Sequence, residues 1–218
     1  IGGYDFGTGR LRAMGSLDSP GLTIRAAEPS EADGAVFARL LDQAQAGWYR
    51  MALGSSAGRL IGAAYLEPNN ELSYEFVTMV ERDGRPVGMC SAYSVRVHTR
   101  FAPNPLGQAA HGRFRYRAMT KLSDRMLSFI ASVPSDDYYI RALAVDPDQR
   151  GRGIGTLLLN VLTEAARASG CQRLALDVAA TNKRARRLYE RIGMVQEAES
   201  PRFFGLPNTN VLRMVSDL

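Results

Sequence analysis

Apolar positions along the chain switch between a period near two and a period near 3.6, and the order of the switches predicts the architecture. Residues 23–26 read as a first strand. Ser30 is placed to cap a helix, with Asp33 positioned to return the cap. Val36, Phe37, Leu40, Leu41 and Ala44 then recur at helical spacing. Residues 47–70 mix small and polar types and read as a short helix with loops. Two runs, 74–81 and 86–97, flank Asp83 and Gly84, a pair that tolerates positive φ, and predict a hairpin. Residues 98–112 are rich in proline, glycine and amides and read as a loop. Met119, Leu122, Met126, Phe129 and Val133 predict one amphipathic helix that Pro134 ends. A strand over 138–145 follows. Leu157, Val161, Leu162, Ala165 and Ala168 mark a helix closed by Gly170. Leu174, Leu176 and Val178 alternate as a strand, and Ala185, Leu188, Tyr189 and Ile192 mark a helix closed by Gly193. Strands at 195–199 and 211–215 finish the chain. The predicted class is α/β (α+β mixed), with a mixed sheet covered by helices on both faces.

The 218 residues suit one domain, placed at 21–218, behind a glycine-rich flexible arm at 1–20. A hydrophobic fraction of 45% with 22% charged residues excludes disorder of the whole chain. No run approaches the length of a membrane-spanning helix. Residues 1–20 lack the apolar core that secretion needs, and Met14 is read as the natural start, with 1–13 outside it. Cys90, Cys171, His98 and His111 stand in no metal-like spacing, so neither a zinc site nor a disulfide framework is expected. Reduced cysteines without an export signal point to the cytoplasm. The net charge of +5 is uneven: residues 94–133 carry seven basic side chains and one acidic one, and residues 141–191 carry ten and five. All but two of the basic residues are arginines, whose planar fork suits phosphate. An anionic partner follows.

The chemistry concentrates in residues 144–156, AVDPDQRGRGIGT. A strand leads through a turn into Gly151, Gly153 and Gly155, and a helix follows at once. Glycines there let backbone N–H groups approach an anion, and the helix start adds the positive end of its dipole. Arg150 and Arg152 add charge. On these grounds the loop is a pyrophosphate cradle. A dinucleotide fingerprint would need a third glycine where Thr156 stands, although Asp177 lies about where a ribose-binding acid would. A Walker loop would need a lysine that is missing.

The stretch Gln149, Arg150, Gly151, Arg152, Gly153, Ile154, Gly155 fits [QR]-x-x-G-x-[GA], the acetyl-CoA loop of the GNAT superfamily of N-acetyltransferases. Residues 182–194, NKRARRLYERIGM, resemble that family's N-x-x-A-x-x-L-Y-x-x-x-G-F helix, with Met194 in place of Phe. The resemblance is specific over 138–196, looser over 22–97 and absent over 98–134. It implies a mostly antiparallel sheet splayed in the middle. Leu143, Ala144 and Val145 would pair their backbone with pantetheine, as an added strand does. Gln149, Arg150, Gly151, Arg152, Gly153, Ile154, Gly155 and Thr156 would hold the pyrophosphate. Asn182 would hydrogen-bond the pantetheine arm, and Tyr189 would protonate the leaving thiolate. The implied cosubstrate is acetyl-CoA, with no metal. The implied reaction is attack of a primary amine through a tetrahedral intermediate, with a backbone N–H such as that of Val145 polarising the carbonyl.

Tyr189 also lies on the apolar face of its helix, so periodicity alone makes it a core aromatic. Many family members carry a glutamate on the strand before the loop. Here Tyr139 stands in that register, and Asp137, at the strand mouth, is the carboxylate offered as base, acting directly or through water. The departure favours an acceptor of low pKa. Deprotonating a lysine amine at pH 7 costs about 4–5 kcal/mol, against about 1 for an α-amine. The acceptor itself, a peptide N-terminus or a small amine, stays open. The basic helical insertion at about 98–134, with Arg113, Phe114, Arg115, Tyr116 and Arg117, is read either as a lid packed by Met119, Leu122, Met126 and Ile130 or as a wall of the acceptor pocket. It leaves a homodimer contact open, and it is too short to carry a nucleic-acid function. The competing class is a non-catalytic acyl-CoA-binding or regulatory module of the same fold.

Overall fold

A computed structural model describes residues 4–5, 10–11, 21–98, 101, 105–110, 112–122, 124–202 and 209–218. The expected arm at 1–20 lies outside the described residues, apart from a two-residue pairing of Tyr4–Asp5 with Arg10–Leu11. The main sheet has seven strands. These are β1 (Leu22–Ala26), β2 (Val77–Arg82), β3 (Arg85–Ser94), β4 (Asp137–Val145), β5 (Arg173–Ala179), β6 (Val195–Glu199) and β7 (Val211–Asp217). Their spatial order is β1-β2-β3-β4-β5-β7-β6. Only β4 and β5 run parallel, and every other pairing is antiparallel. This is the mixed, mostly antiparallel sheet that the sequence implied.

Helices cover both faces. On one face lies α8 (Ile154–Ala168), with α9 (Lys183–Arg191) beside it. Leu158, Leu159, Leu162 and Ala165 of α8 are buried together with Leu174, Leu176 and Val178, the alternate residues of β5. The opposite face carries α1 (Glu31–Ala44), α2 (Trp48–Leu53) and α3 (Ala57–Leu66). Phe37, Leu40 and Leu41 of α1 and Leu60, Ile61 and Tyr65 of α3 close on Met79 and Met89 of the sheet. Ser30 Oγ accepts from Asp33 N at 3.2 Å, so the predicted cap forms. Asp33 turns its carboxylate instead to the N–H of Glu28 and the fork of Arg25.

Three expectations need correction. Residues 47–70 hold two helices, α2 and α3, rather than one with loops. Glycines there weaken helix propensity, but they allow close packing, which overrides it. A Cβ on Gly34 of α1 would meet Tyr65 Cδ1 at 3.2 Å and the Gly62 carbonyl at 3.5 Å. The second hairpin strand ends at Ser94, and a short helix, α4 (Val95–His98), follows; α5 (Pro105–Ala110) lies within the stretch expected to be a loop. The insertion helix is described as α6 (Phe114–Leu122) and α7 (Asp124–Ala131), on either side of residue 123, which lies outside the described residues. The two segments pack on different parts of the sheet face: Met119 lies against the α1–α3 core, and Ile130 lies against Tyr93 and Tyr139.

Two irregularities in β4 make the site. Its parallel pairing with β5 covers Asp137 to Ile140 against Arg173 to Leu176 and goes no further. Its register with β3 slips between Ser91 and Ala92, because Ala142 pairs with Ser91 and Ile140 with Ala92, leaving Arg141 as an extra residue. Such a bulge re-aims a side chain and bends the strand. Beyond it β4 and β5 part, and one edge of β4 opens.

Candidate active site

At the C-terminal end of β4 the chain makes a turn over Pro147–Gln149 and enters α8. Gly151 and Gly153 have φ of +80° and +82°, a region that side chains other than glycine rarely adopt. Gly155 serves packing instead, since a Cβ there would stand 3.0 Å from Leu188 Cδ2 of α9. Gly153 occupies the N-cap of α8 without a side-chain cap. The first amides of a fifteen-residue helix are therefore left for water or an anion. Arg150, Gly151, Arg152, Gly153 and Thr156 are exposed, and Ile154 is buried beneath them. The loop thus faces solvent and is not packed against protein. Arg184 of α9 brings its guanidinium to 4.0 Å from the Cβ position of Gly151.

Leu143, Ala144 and Val145 pair with Cys90, Met89 and Gly88 of β3, and none of them pairs with β5. The Val145 carbonyl accepts from Gln43 Nε2 at 3.1 Å and Arg150 Nε at 2.9 Å. The Arg141 carbonyl accepts from Gln45 Nε2 at 3.4 Å. An ion pair between Arg39 and Asp146 ties α1 to the start of the loop. The end of α1 thus lies along the parted strand. Gln149 Nε2 donates to Asp148 Oδ2 at 3.0 Å. Asn182 caps α9 by accepting from Ala185 N at 3.1 Å, which leaves its NH2 donors for other partners.

Tyr189 is buried in the α8–α9 core, and burial pushes its hydroxyl up to about 12. It has no hydrogen-bond partner for that hydroxyl among the described residues. Tyr139 is buried on the opposite face, and its hydroxyl donates to Asp177 Oδ2 at 3.1 Å. Burial holds this phenol well above its ordinary pKa, and the Asp177 charge adds to the effect. Asp137 lies elsewhere. Both its oxygens accept from Arg173, at 2.9 and 2.8 Å, in the closed half of the β4–β5 pair. Six residues of strand, about 20 Å, separate it from Leu143. The structure does not bring Asp137 to the open edge.

The sheet also assembles charged groups that were not singled out as site residues. Asp177 receives both Nε and Nη2 of Arg213, at 3.0 and 2.9 Å. Burial raises the Asp177 carboxyl, while Arg213 and Tyr139 pull the other way. Arg213 also donates to the carbonyl of Phe129 at 2.7 Å and lies 4.5 Å over its ring, so it anchors α7 to the sheet. Arg141 donates to the Tyr49 hydroxyl at 2.9 Å and stands 3.5 Å from Glu71. The available signal was a lone charge inside each short apolar strand, since buried charges are rare unless paired. Of the insertion residues, Tyr116 packs edge-on against Trp48, Arg115 donates to the Met51 carbonyl, and Phe114 and Leu122 are exposed. The insertion therefore forms a wall over the Tyr93–Tyr139 face. Leu122 takes no part in holding it.

A strand pair that parts ahead of an uncapped glycine turn and helix is the arrangement that the resemblance to the GNAT superfamily implied. The family model described as "Acetyltransferase (GNAT) family" matches residues 25–194. The chain belongs to that family. It is 41% identical over 71 residues to the [ribosomal protein bS18]-alanine N-acetyltransferase of Salmonella typhimurium, covering 32% of this chain and 48% of that protein. It is 37% identical over 76 residues to N-alpha-acetyltransferase 30 of Xenopus laevis, covering 35% of this chain and 28% of that protein. The matched stretch thus spans less than half of each relative's own length. A solved structure described as an acetyltransferase superposes with a TM-score of 0.62 at 24% identity, over 89% of this chain and 98% of that one, which shows the shared fold. No helix among the described residues is long and apolar enough to cross a membrane.

Proposed function

We propose that this chain transfers the acetyl group of acetyl-CoA to a primary amine by direct attack through a tetrahedral intermediate. One observation carries the reading: β4 and β5 part after the Ile140–Leu176 pair, directly upstream of an exposed glycine turn whose helix has no side-chain cap. An open strand edge suits the amide groups of a pantetheine arm, and the turn suits a diphosphate. The residues present fit acetyl-CoA on both counts. Leu143, Ala144 and Val145 offer the edge. Gln149, Arg150, Gly151, Arg152, Gly153, Ile154, Gly155 and Thr156 form the cradle. The Asn182 NH2 group reaches for the arm.

Tyr189 supplies the proton to the departing thiolate. With its pKa raised to about 12 by burial, the phenol stays protonated across the physiological range, as a general acid must. Asp137 is locked to Arg173, and Tyr139 lies in the same closed half of the β4–β5 pair with its hydroxyl held by Asp177. The amine therefore reacts as the free base, its proton already lost to solvent. This favours an amine whose deprotonation at pH 7 costs about 1 kcal/mol, such as an α-amine. The relatives' names, an alanine N-acetyltransferase and an N-alpha-acetyltransferase, support the same class of acceptor. Cytoplasmic placement is part of this proposal.

Calorimetry with acetyl-CoA, followed by thiol release with a panel of amines, tests the reading. Binding near micromolar strength with amine-dependent thiol release is expected. Binding without release from any amine would leave a carrier-binding module of the same fold.

A further inference from the structure

We infer that Arg141 and Trp48 form an acceptor subsite that binds an oxygen, carbonyl or carboxylate, on the carbon next to the one bearing the amine. The inference rests on the transferase reading above and narrows it to α-amino acid residues, free or at a peptide N-terminus.

The bulge is the first observation. Arg141 is the unpaired extra residue of β4, and it sits where β4 leaves β5. It precedes Leu143, at the open edge, by two residues, about 7 Å of strand. Its side chain is only 13% exposed, yet its environment does not satisfy it. One Nη meets the Tyr49 hydroxyl, Glu71 stays at 3.5 Å, and the buried Nε has no hydrogen-bond partner among the described residues. The second observation is independent. The buried indole Nε1 of Trp48 is likewise without a partner there. Trp48 packs edge-on against Tyr49, at 5.2 Å between centroids, and Tyr49 is the residue whose hydroxyl Arg141 holds. Two unmatched donors therefore belong to one aromatic box with Tyr49 and Tyr116.

Buried N–H groups are rarely left unmatched unless something arrives to meet them. Two donors call for an oxygen acceptor. The Glu71 carboxylate already offsets part of the Arg141 charge, so a neutral peptide carbonyl fits as well as a carboxylate. The nearby open edge requires that oxygen to lie close to the reacting nitrogen. An α-amino acid residue has this arrangement, and a simple alkylamine or polyamine lacks it.

Matched trios test the inference on the full chain. Phenylalanine, phenylalanyl-glycine amide and phenethylamine make one trio; alanine, alanyl-glycine amide and ethylamine make another. With kcat/KM referred to the free-base amine, so that differences in amine pKa cancel, the wild type is expected to favour an oxygen-bearing member over the plain amine by about 100-fold. Arg141→Met should compress that ratio to about fivefold, chiefly through KM. Trp48→Phe, a milder change that keeps the packing, should compress it severalfold, and Arg141→Lys should restore part. These last two carry the test if Arg141→Met does not fold. Preference for the peptide or for the free amino acid identifies the source, and either supports the inference. Equal rates across each trio, no turnover while acetyl-CoA binds by calorimetry, or variants that slow all members alike would overturn it. Failure of acetyl-CoA to bind would overturn the transferase reading along with it.

Discussion

Replacing Arg213 by methionine tests how the insertion and the centre of the sheet are held together. Arg213 and Asp177 have side chains only 4% exposed, joined by two hydrogen bonds of 3.0 and 2.9 Å. Removing one partner of such a pair leaves a buried charge uncompensated and costs about 3–5 kcal/mol. Arg213 also supplies hydrogen bonds to Phe129 and Ser132 on the insertion, so the upper end of that range is expected. For a chain of this size the loss lowers Tm by roughly 6–20 °C. The pH dependence has a definite sign. In the variant the Asp177 carboxyl rises further above its unfolded value of about 3.9, because burial acts on it without Arg213. A carboxyl with a raised folded pKa contributes stability below its unfolded pKa and loses it as pH rises through the folded value. Urea unfolding should therefore show a larger deficit at pH 7 than at pH 5. Asp177→Asn in the same background should recover at least half of the deficit by removing the buried charge. A deficit below about 1 kcal/mol, or a double variant no better than the single one, refutes the reasoning.

Other expectations are simpler to check. Tyr189→Phe should lower kcat by about 100-fold with little change in the KM for acetyl-CoA, and an unchanged rate removes it as the acid. With that hydroxyl raised to about 12, wild-type kcat should show no alkaline loss from this group between pH 8 and 10 in a steady-state profile. Gly153→Ala places a side chain at φ +82° and should cost about 1–2 kcal/mol in thermal unfolding, with weaker calorimetric binding of acetyl-CoA. Leu158→Ala, inside the α8 core, should cost about 3 kcal/mol by urea unfolding without changing the KM for the cosubstrate.

Local chemistry was legible in the chain itself. Backbone conformation at Gly151 and Gly153, the cap at Ser30 and the apolar stripe of α8 all depend on neighbours within a few residues, so their pattern survives in one dimension. The order of strands and helices and the exposed glycine turn before α8 followed from that. The segments at 47–70 and 98–134 were less legible. Their helices are stabilised by contacts such as Gly34 with Tyr65 and Ile130 with Tyr139, which join residues far apart in the chain. The residues offered for acid–base work divide along the same line. Asp137 and Tyr139 are two residues apart, Tyr139 in the register of the family's glutamate and Asp137 at the strand mouth as the carboxylate offered. Only the tertiary structure separated them, because Arg173 claims Asp137 from 36 residues away and Asp177 meets Tyr139 from 38. The slip of one residue between β3 and β4 that turns Arg141 toward Tyr49 is likewise a property of pairing between strands. Register depends on two chains of atoms at once, and a single strand's sequence carries half of that information.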